Sequence, residues 1–301
     1  MQRKTVISRP VSLAFVSPAF VLIALFLIYP FFSIVAMSFT NQALTGAAAR
    51  NPQYVGLDNY AALFDTDTWM NRGEFGSSLW ITAQFVVGSA LIGQAGLGMT
   101  IALVFYRRND FLRHLVYTLA IIAWITPDVV IGFAWFAFLD PNTGTLNNLL
   151  RGVGLPGQDW LLDHPLLSII AFNTWRGTAF SMLLFTSALN AISPAYLETA
   201  QVIGASRWQQ FRDILFPMLK TTIATDLILI TLWTFNAFTP FLLTGGGPGY
   251  RTELLSIYTY RVGLQRFEFG QGSAIAVTVM LINFLLASIY LVINRRGRRD
   301  R

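Results

Sequence analysis

Three ionisable side chains, Asp128, Arg176 and Asp226, lie inside otherwise apolar stretches of the chain. A charge in hydrocarbon is costly, so such positions are read first as functional. At 1.5 Å per helical residue, Asp128 and Arg176 both fall about 15 Å from the same side of the apolar layer, where a guanidinium–carboxylate pair can form between two helices. Near them in sequence or in the next apolar stretch stand Asn173, Trp175, Trp233, Asn236 and Thr239. Amides, carboxylates and aromatic faces are the groups that hold polyhydroxylated solutes. Two readings stand. In one, these residues line a path near the middle of the membrane; in the other, Asp128 and Arg176 form a structural ion pair and the aromatics only pack. An unpaired Arg176 suits a phosphate or sulfonate, whereas a paired one suits a neutral sugar. Asp226 lies one turn from the end of its stretch and is expected to reach water.

Composition names the elements that must carry these residues. Of 301 residues, 54% are hydrophobic and only 12% charged, about half the charge that coats a soluble domain. That excludes a cytosolic enzyme and a disordered chain, and leaves an integral membrane protein. With no Cys, disulfides, thiolate catalysis and iron–sulfur ligation are all absent. His114 and His164 are too far apart in sequence to announce a metal site or a catalytic triad, so no metal-ligating and no catalytic residue is assigned.

Six stretches meet the length of a membrane helix: 13–39, 79–106, 114–138, 166–190, 222–244 and 273–293. The first follows Arg3, Lys4 and Arg9 but is far longer than a signal-peptide core, so it is expected to be retained. Most of the 21 Lys and Arg collect on one side: the N-terminal three, Arg107, Arg108, Arg113, Arg207, Arg212, Lys220 and the tail from Arg295 to Arg301. By the positive-inside rule both termini are cytoplasmic. Membrane-surface anchoring explains the basic tail, and the absence of interleaved aromatics excludes a nucleic-acid partner. The glycines Gly93, Gly96 and Gly98 lie within a span, where close helix packing is a better reading than a dinucleotide fingerprint.

The segment 192–221 is the most informative stretch. Ser193-Pro194 reads as an N-cap and first helical residue. The helix through Glu198 and Ala200 stops at Gly204, and Ser206 to Gln209 form a capping box for a second helix. Trp208, Phe211 and Leu215 recur at helical spacing beside Ile214 and Met218, and Pro217 is expected to end or kink the helix. Such a helix–turn–helix is too charged to cross a bilayer and suits the groove of a soluble partner.

Glu198-Thr199-Ala200, Gly204 and Ile214-Leu215-Phe216-Pro217 resemble the EAA signature of binding-protein-dependent ABC importer permeases. Ser193-Pro194, Gly204-Ala205 and Trp208-Gln209-Gln210-Phe211 are similar to its sugar-permease branch, the maltose and glycerol-phosphate type. So are Val55 to Tyr60, Trp175-Arg176, Phe235 to Phe238 and Leu243 to Pro248. Many relatives have Phe-Lys-x-Phe-Asp where this chain has Asn236 and Thr239, a departure that leaves the particular sugar open. The resemblance implies an all-α permease of six transmembrane helices forming one domain over residues 1–301, in a bacterial or archaeal cell (inner) membrane. It implies a second permease subunit of different sequence, two ATPase subunits and an extracytoplasmic solute-binding protein. ATP and Mg would be bound by the ATPase, with no cofactor on this chain. Glu198, Thr199, Ala200, Gly204, Ala205, Trp208, Phe211, Ile214 and Pro217 would then couple the chain to that ATPase.

The expected function is transport of a sugar, glycoside or related polyol by alternating access. One alternative is an importer permease of the same type for an anion such as a glycerol phosphate or a sulfonated sugar. Another is a self-sufficient secondary transporter with Asp128 and Asp226 as proton carriers, which leaves the helix pair unexplained.

Overall fold

A computed structural model describes residues 11–292; the basic clusters at Arg3–Arg9 and Arg295–Arg301 lie outside them. The described residues divide into two compact units, residues 11–65 with 259–280, and residues 66–258 with 281–292.

In the first unit, α1 (Val11–Met37) exposes Phe15, Phe26 and Leu27 on a surface suited to lipid. Its end is tied to the following loop and α2 (Asp58–Leu63). The Asn59 amide donates to the Ser38 and Thr40 carbonyls at 2.8 Å each, and the Ser38 and Tyr60 hydroxyls meet at 2.7 Å. The Gly270 N–H donates to the Gln42 carbonyl at 2.8 Å, with no room for a side chain against Thr40.

The second unit is built on α3 (Phe75–Val104), α4 (Phe111–Ile125), α5 (Asp128–Phe138), α6 (Thr145–Gly152), α7 (Pro165–Asn190), α8 (Pro194–Val202) and α9 (Arg207–Phe235). The last helix, α10 (Phe269–Val292), contributes residues to both units. Four helices, α1, α3, α9 and α10, are each long and apolar enough to cross a membrane. Two bent pairs, α4 with α5 and α7 with α8, bring the number among the described residues to as many as six if each pair counts as one span.

Small residues set the α3–α7 contact, as expected for membrane helices. Gly93 lies against Thr174 and Gly98 against Ser181, so neither has space for a Cβ, whereas Gly96 faces open space. The Tyr117 hydroxyl meets that of Thr186 at 2.6 Å, pinning α4 to α7. Two apolar clusters complete the unit. One joins Phe85, Ile131, Phe172 and Ile257; the other joins Ala102, Phe185, Leu189, Leu197, Leu215 and Leu219.

Two expected spans are corrected. The stretch 114–138 is not one helix: α4 and α5 meet at 111° across Thr126-Pro127. A residue before proline is pushed out of helical geometry, and Thr126 is extended with ψ at 135°. The stretch 222–244 is not one helix either. The helix begins at Arg207, within the loop pair, and ends at Phe235; Asn236 leaves helical geometry, with ψ at 9°. Pro217 therefore does not end the helix. It sits in the first turn after a π turn at Phe211–Leu215, where a missing N–H is easily accommodated.

Candidate functional site

The helix pair α8–α9 is closed by a glycine turn. Gly204 has φ at +83°, the left-handed region. Its N–H donates to the Gln201 carbonyl at 3.0 Å, and the Ala205 N–H donates to the Ala200 carbonyl at 2.9 Å. These are the two bonds of a Schellman C-cap. The Ser206 N–H then donates to Gln209 Oε1 at 2.7 Å, and the Gln209 N–H returns to Ser206 Oγ at 3.3 Å, which is the capping box expected there. Ser193 makes no side-chain cap, so Pro194 alone marks the start of α8.

This pair has two faces. Leu197, Leu215 and Leu219 are buried with Ala102 of α3 and Phe185 and Leu189 of α7, and Phe211 and Ile214 lean on the same cluster. Ala200 is buried, while Ala205 and Pro217 are half-buried. Glu198, Thr199 and Gly204 are exposed, beside Tyr196, Val202, Ile203 and Trp208. The single apolar stripe expected from the sequence is thus divided: Phe211, Ile214 and Leu215 turn inward, and Trp208 and Met218 remain outside. The π turn within Phe211–Leu215 shifts the helical phase that the spacing assumed.

A second site lies higher on the same helices, where a cavity of about 370 Å³ opens between α4, α5, α7, α9 and the π segment Val86–Gln94 of α3. Asp128, Asn173, Arg176, Trp233, Asn236 and Thr239 line it. Arg176 Nη2 donates to Asp128 Oδ1, and the Thr239 hydroxyl donates to Asp128 Oδ2 at 2.8 Å. The break at Pro127 puts Asp128 in the first turn of α5 rather than mid-helix, so its carboxylate reaches two elements at once. Behind them, the Asn173 amide donates to Ser89 Oγ at 2.8 Å, and Gln94 Nε2 donates to the Asn173 carbonyl at 3.2 Å. The Asn236 amide pairs with Asn283 of α10 at 2.9 Å. Phe180 stands between Trp124 and Trp233, with ring centroids 6.0 and 4.8 Å away. Trp175 is not among the lining residues; it packs on Trp135 with ring centroids 5.7 Å apart.

Asp226 does not reach water. It is fully buried, and Ser181 Oγ donates to its Oδ1 at 2.9 Å. Its Oδ2 has no hydrogen-bond partner among the described residues.

Residues 94–299 match the family described as binding-protein-dependent transport system inner membrane component. That span includes both the helix pair and the cavity. The chain belongs to this family.

It is therefore an inner-membrane permease subunit of an ABC importer and a transport component rather than an enzyme, which sets aside the self-sufficient transporter. The permease is 29% identical to the sulfoquinovosyl glycerol transport system permease protein SmoG of Agrobacterium fabrum, over 95% of this chain and 91% of that protein. It is 30% identical to the trehalose/maltose transport system permease protein MalF of Thermococcus litoralis, over 82% and 81%. A solved bacterial ABC transporter involved in the import of the acidic polysaccharide alginate shares its fold, with a TM-score of 0.77, 23% identity and 94% of each chain covered.

Phe238, within the stretch Phe235 to Phe238 noted for its resemblance, also lines the permease's cavity, whereas several other lining residues escaped the sequence reading: Gln94, Trp124, Phe180 and Thr234. Gln94 alone carried a signal, an amide amid the small and apolar residues of a span. The others become visible only when α4, α7 and α9 converge.

Proposed function

We propose that this permease carries a sugar, glycoside or related polyol through the membrane, as half of a path completed by a second permease subunit of different sequence. Both termini are cytoplasmic, and the α8–α9 pair docks on one of two ATPase subunits that hold ATP and Mg. This chain binds no cofactor of its own, and an extracytoplasmic solute-binding protein delivers the solute. The carbohydrate class is supported by the names of the relatives and by the amides and aromatic rings around the cavity.

One observation carries the coupling role: the helix pair grips the transmembrane body with one face and leaves the other uncovered. A partner that moves the uncovered face moves α3, α7 and α9 with it, because packed interfaces shift as rigid bodies. Glu198 supplies a polar contact, Trp208 an apolar anchor and Gly204 the turn that holds both in place.

A chain without Cys allows a direct test. Glu198→Cys or Trp208→Cys, in the assembled and working importer, is expected to crosslink to the ATPase in a yield that changes with nucleotide. Absence of any ATPase adduct from both positions overturns the coupling role.

A further inference from the structure

We infer that the cavity takes a neutral polyhydroxylated solute and that Asp128 is the specificity-determining residue that keeps anions out; this rests on reading the cavity as part of the transport path. The only two charged residues among those lining it are Asp128 and Arg176, and they are paired. Their formal charges cancel, so the half of the path supplied by this chain has no cation to spare for a phosphate, sulfonate or carboxylate. The two partners are also unequally open. The Asp128 side chain keeps 47% of its surface exposed against 27% for Arg176, so the carboxylate is the more accessible of the two. Arg176 Nε is buried without a partner, and Nη2 is committed to Asp128. The Thr239 hydroxyl fixes the other carboxylate oxygen, which keeps Asp128 turned toward the cavity as an acceptor.

A carboxylate in that position accepts hydrogen bonds from the hydroxyls of a sugar and repels a second negative charge. The remaining wall repeats the preference. Gln94 and Asn236 are uncharged, and Trp124 and Trp233 add aromatic surface of the kind that suits the apolar C–H groups of a pyranose. The anionic solutes named for SmoG and for the alginate importer would find no free countercharge here.

The test uses the complete importer in proteoliposomes with its own binding protein, and a panel of neutral (maltose, trehalose) and charged (glycerol 3-phosphate, sulfoquinovosyl glycerol) solutes. Uptake is expected for neutral members only. In Asp128→Asn, which frees the Arg176 charge, uptake of the accepted solute is expected to fall about tenfold and to become inhibited by glycerol 3-phosphate. Uptake of a charged member by the wild-type importer overturns the assignment, and this arm needs no variant to fold. If Asp128→Asn and Trp233→Ala both assemble and leave uptake and competition unchanged, the cavity is not on the path, and it is that earlier reading that falls.

Discussion

Two polar contacts show how much one side chain controls. Arg176→Ala removes the partner of a carboxylate that also holds Thr239. Uptake is expected to be lost while the complex still assembles, as measured by transport beside copurification of the subunits; loss of assembly would assign the pair a structural role instead. At Asp226 the side chain is fully buried. Ser181 provides its hydrogen bond, and Gly98 gives Ser181 the space to approach. Ser181→Ala leaves a second carboxylate oxygen unsatisfied and is expected to cost about 1–3 kcal/mol, read as a lower melting temperature of the purified protein. Asp226→Asn keeps an acceptor for Ser181 and should be tolerated far better. The sequence disclosed that Asp226 was unusual but placed it in water, because distance along one helix says nothing about the neighbours that cover it. For Asp128 and Arg176, by contrast, equal depth on two helices was enough to anticipate that they could meet.

Among the elements, the local rules held at the turn of the helix pair, though Ser193 makes no side-chain cap at the start of α8. Gly204 and the Ser206–Gln209 box fall where the residue types placed them, since a left-handed turn and a reciprocal cap need nothing beyond nearby backbone. Gly204→Ala meets no neighbouring atom, so its cost is that of the left-handed backbone alone, about 1–2 kcal/mol. Uptake should fall more than expression, and Gly204→Asn should retain more uptake than Gly204→Ala. The start of α4 offers a pH test outside the membrane segments. Asp110 accepts from the Arg113 N–H at 3.0 Å and from Arg108. The Arg113 amide first, and Arg108 second, hold its carboxyl below the usual carboxylate range. The cap is therefore fully present above the unfolded-state value near 4 and is lost as the pH falls through the lower folded value. Amide exchange at Arg113 is expected to accelerate below that range in the wild type and to lose this dependence in Asp110→Asn. What local reading failed to predict were the helix limits. Hydropathy runs straight through Pro127 and through Asn236, because an apolar broken helix and an apolar whole one have the same composition.

For the molecule as a whole, composition was sufficient to identify a membrane protein, and the spacing from Glu198 to Pro217 sufficient to identify its family. The cavity was only half legible. Side chains such as Trp124 and Phe180 have no sequence signature, because a wall is defined by what faces it across empty space. The continuity of α9 was also hidden, and it changes the mechanics. From Arg207 to Asp226 the helix measures about 28 Å, and from Asp226 to Phe235 about 14 Å. If α9 rocks together with the α3 and α7 body it is packed on, about the level of that buried carboxylate, its short end swings about half as far as its long end, and the opposite way. A large stroke delivered by a motor would emerge beside the solute as a small, forceful one in reverse.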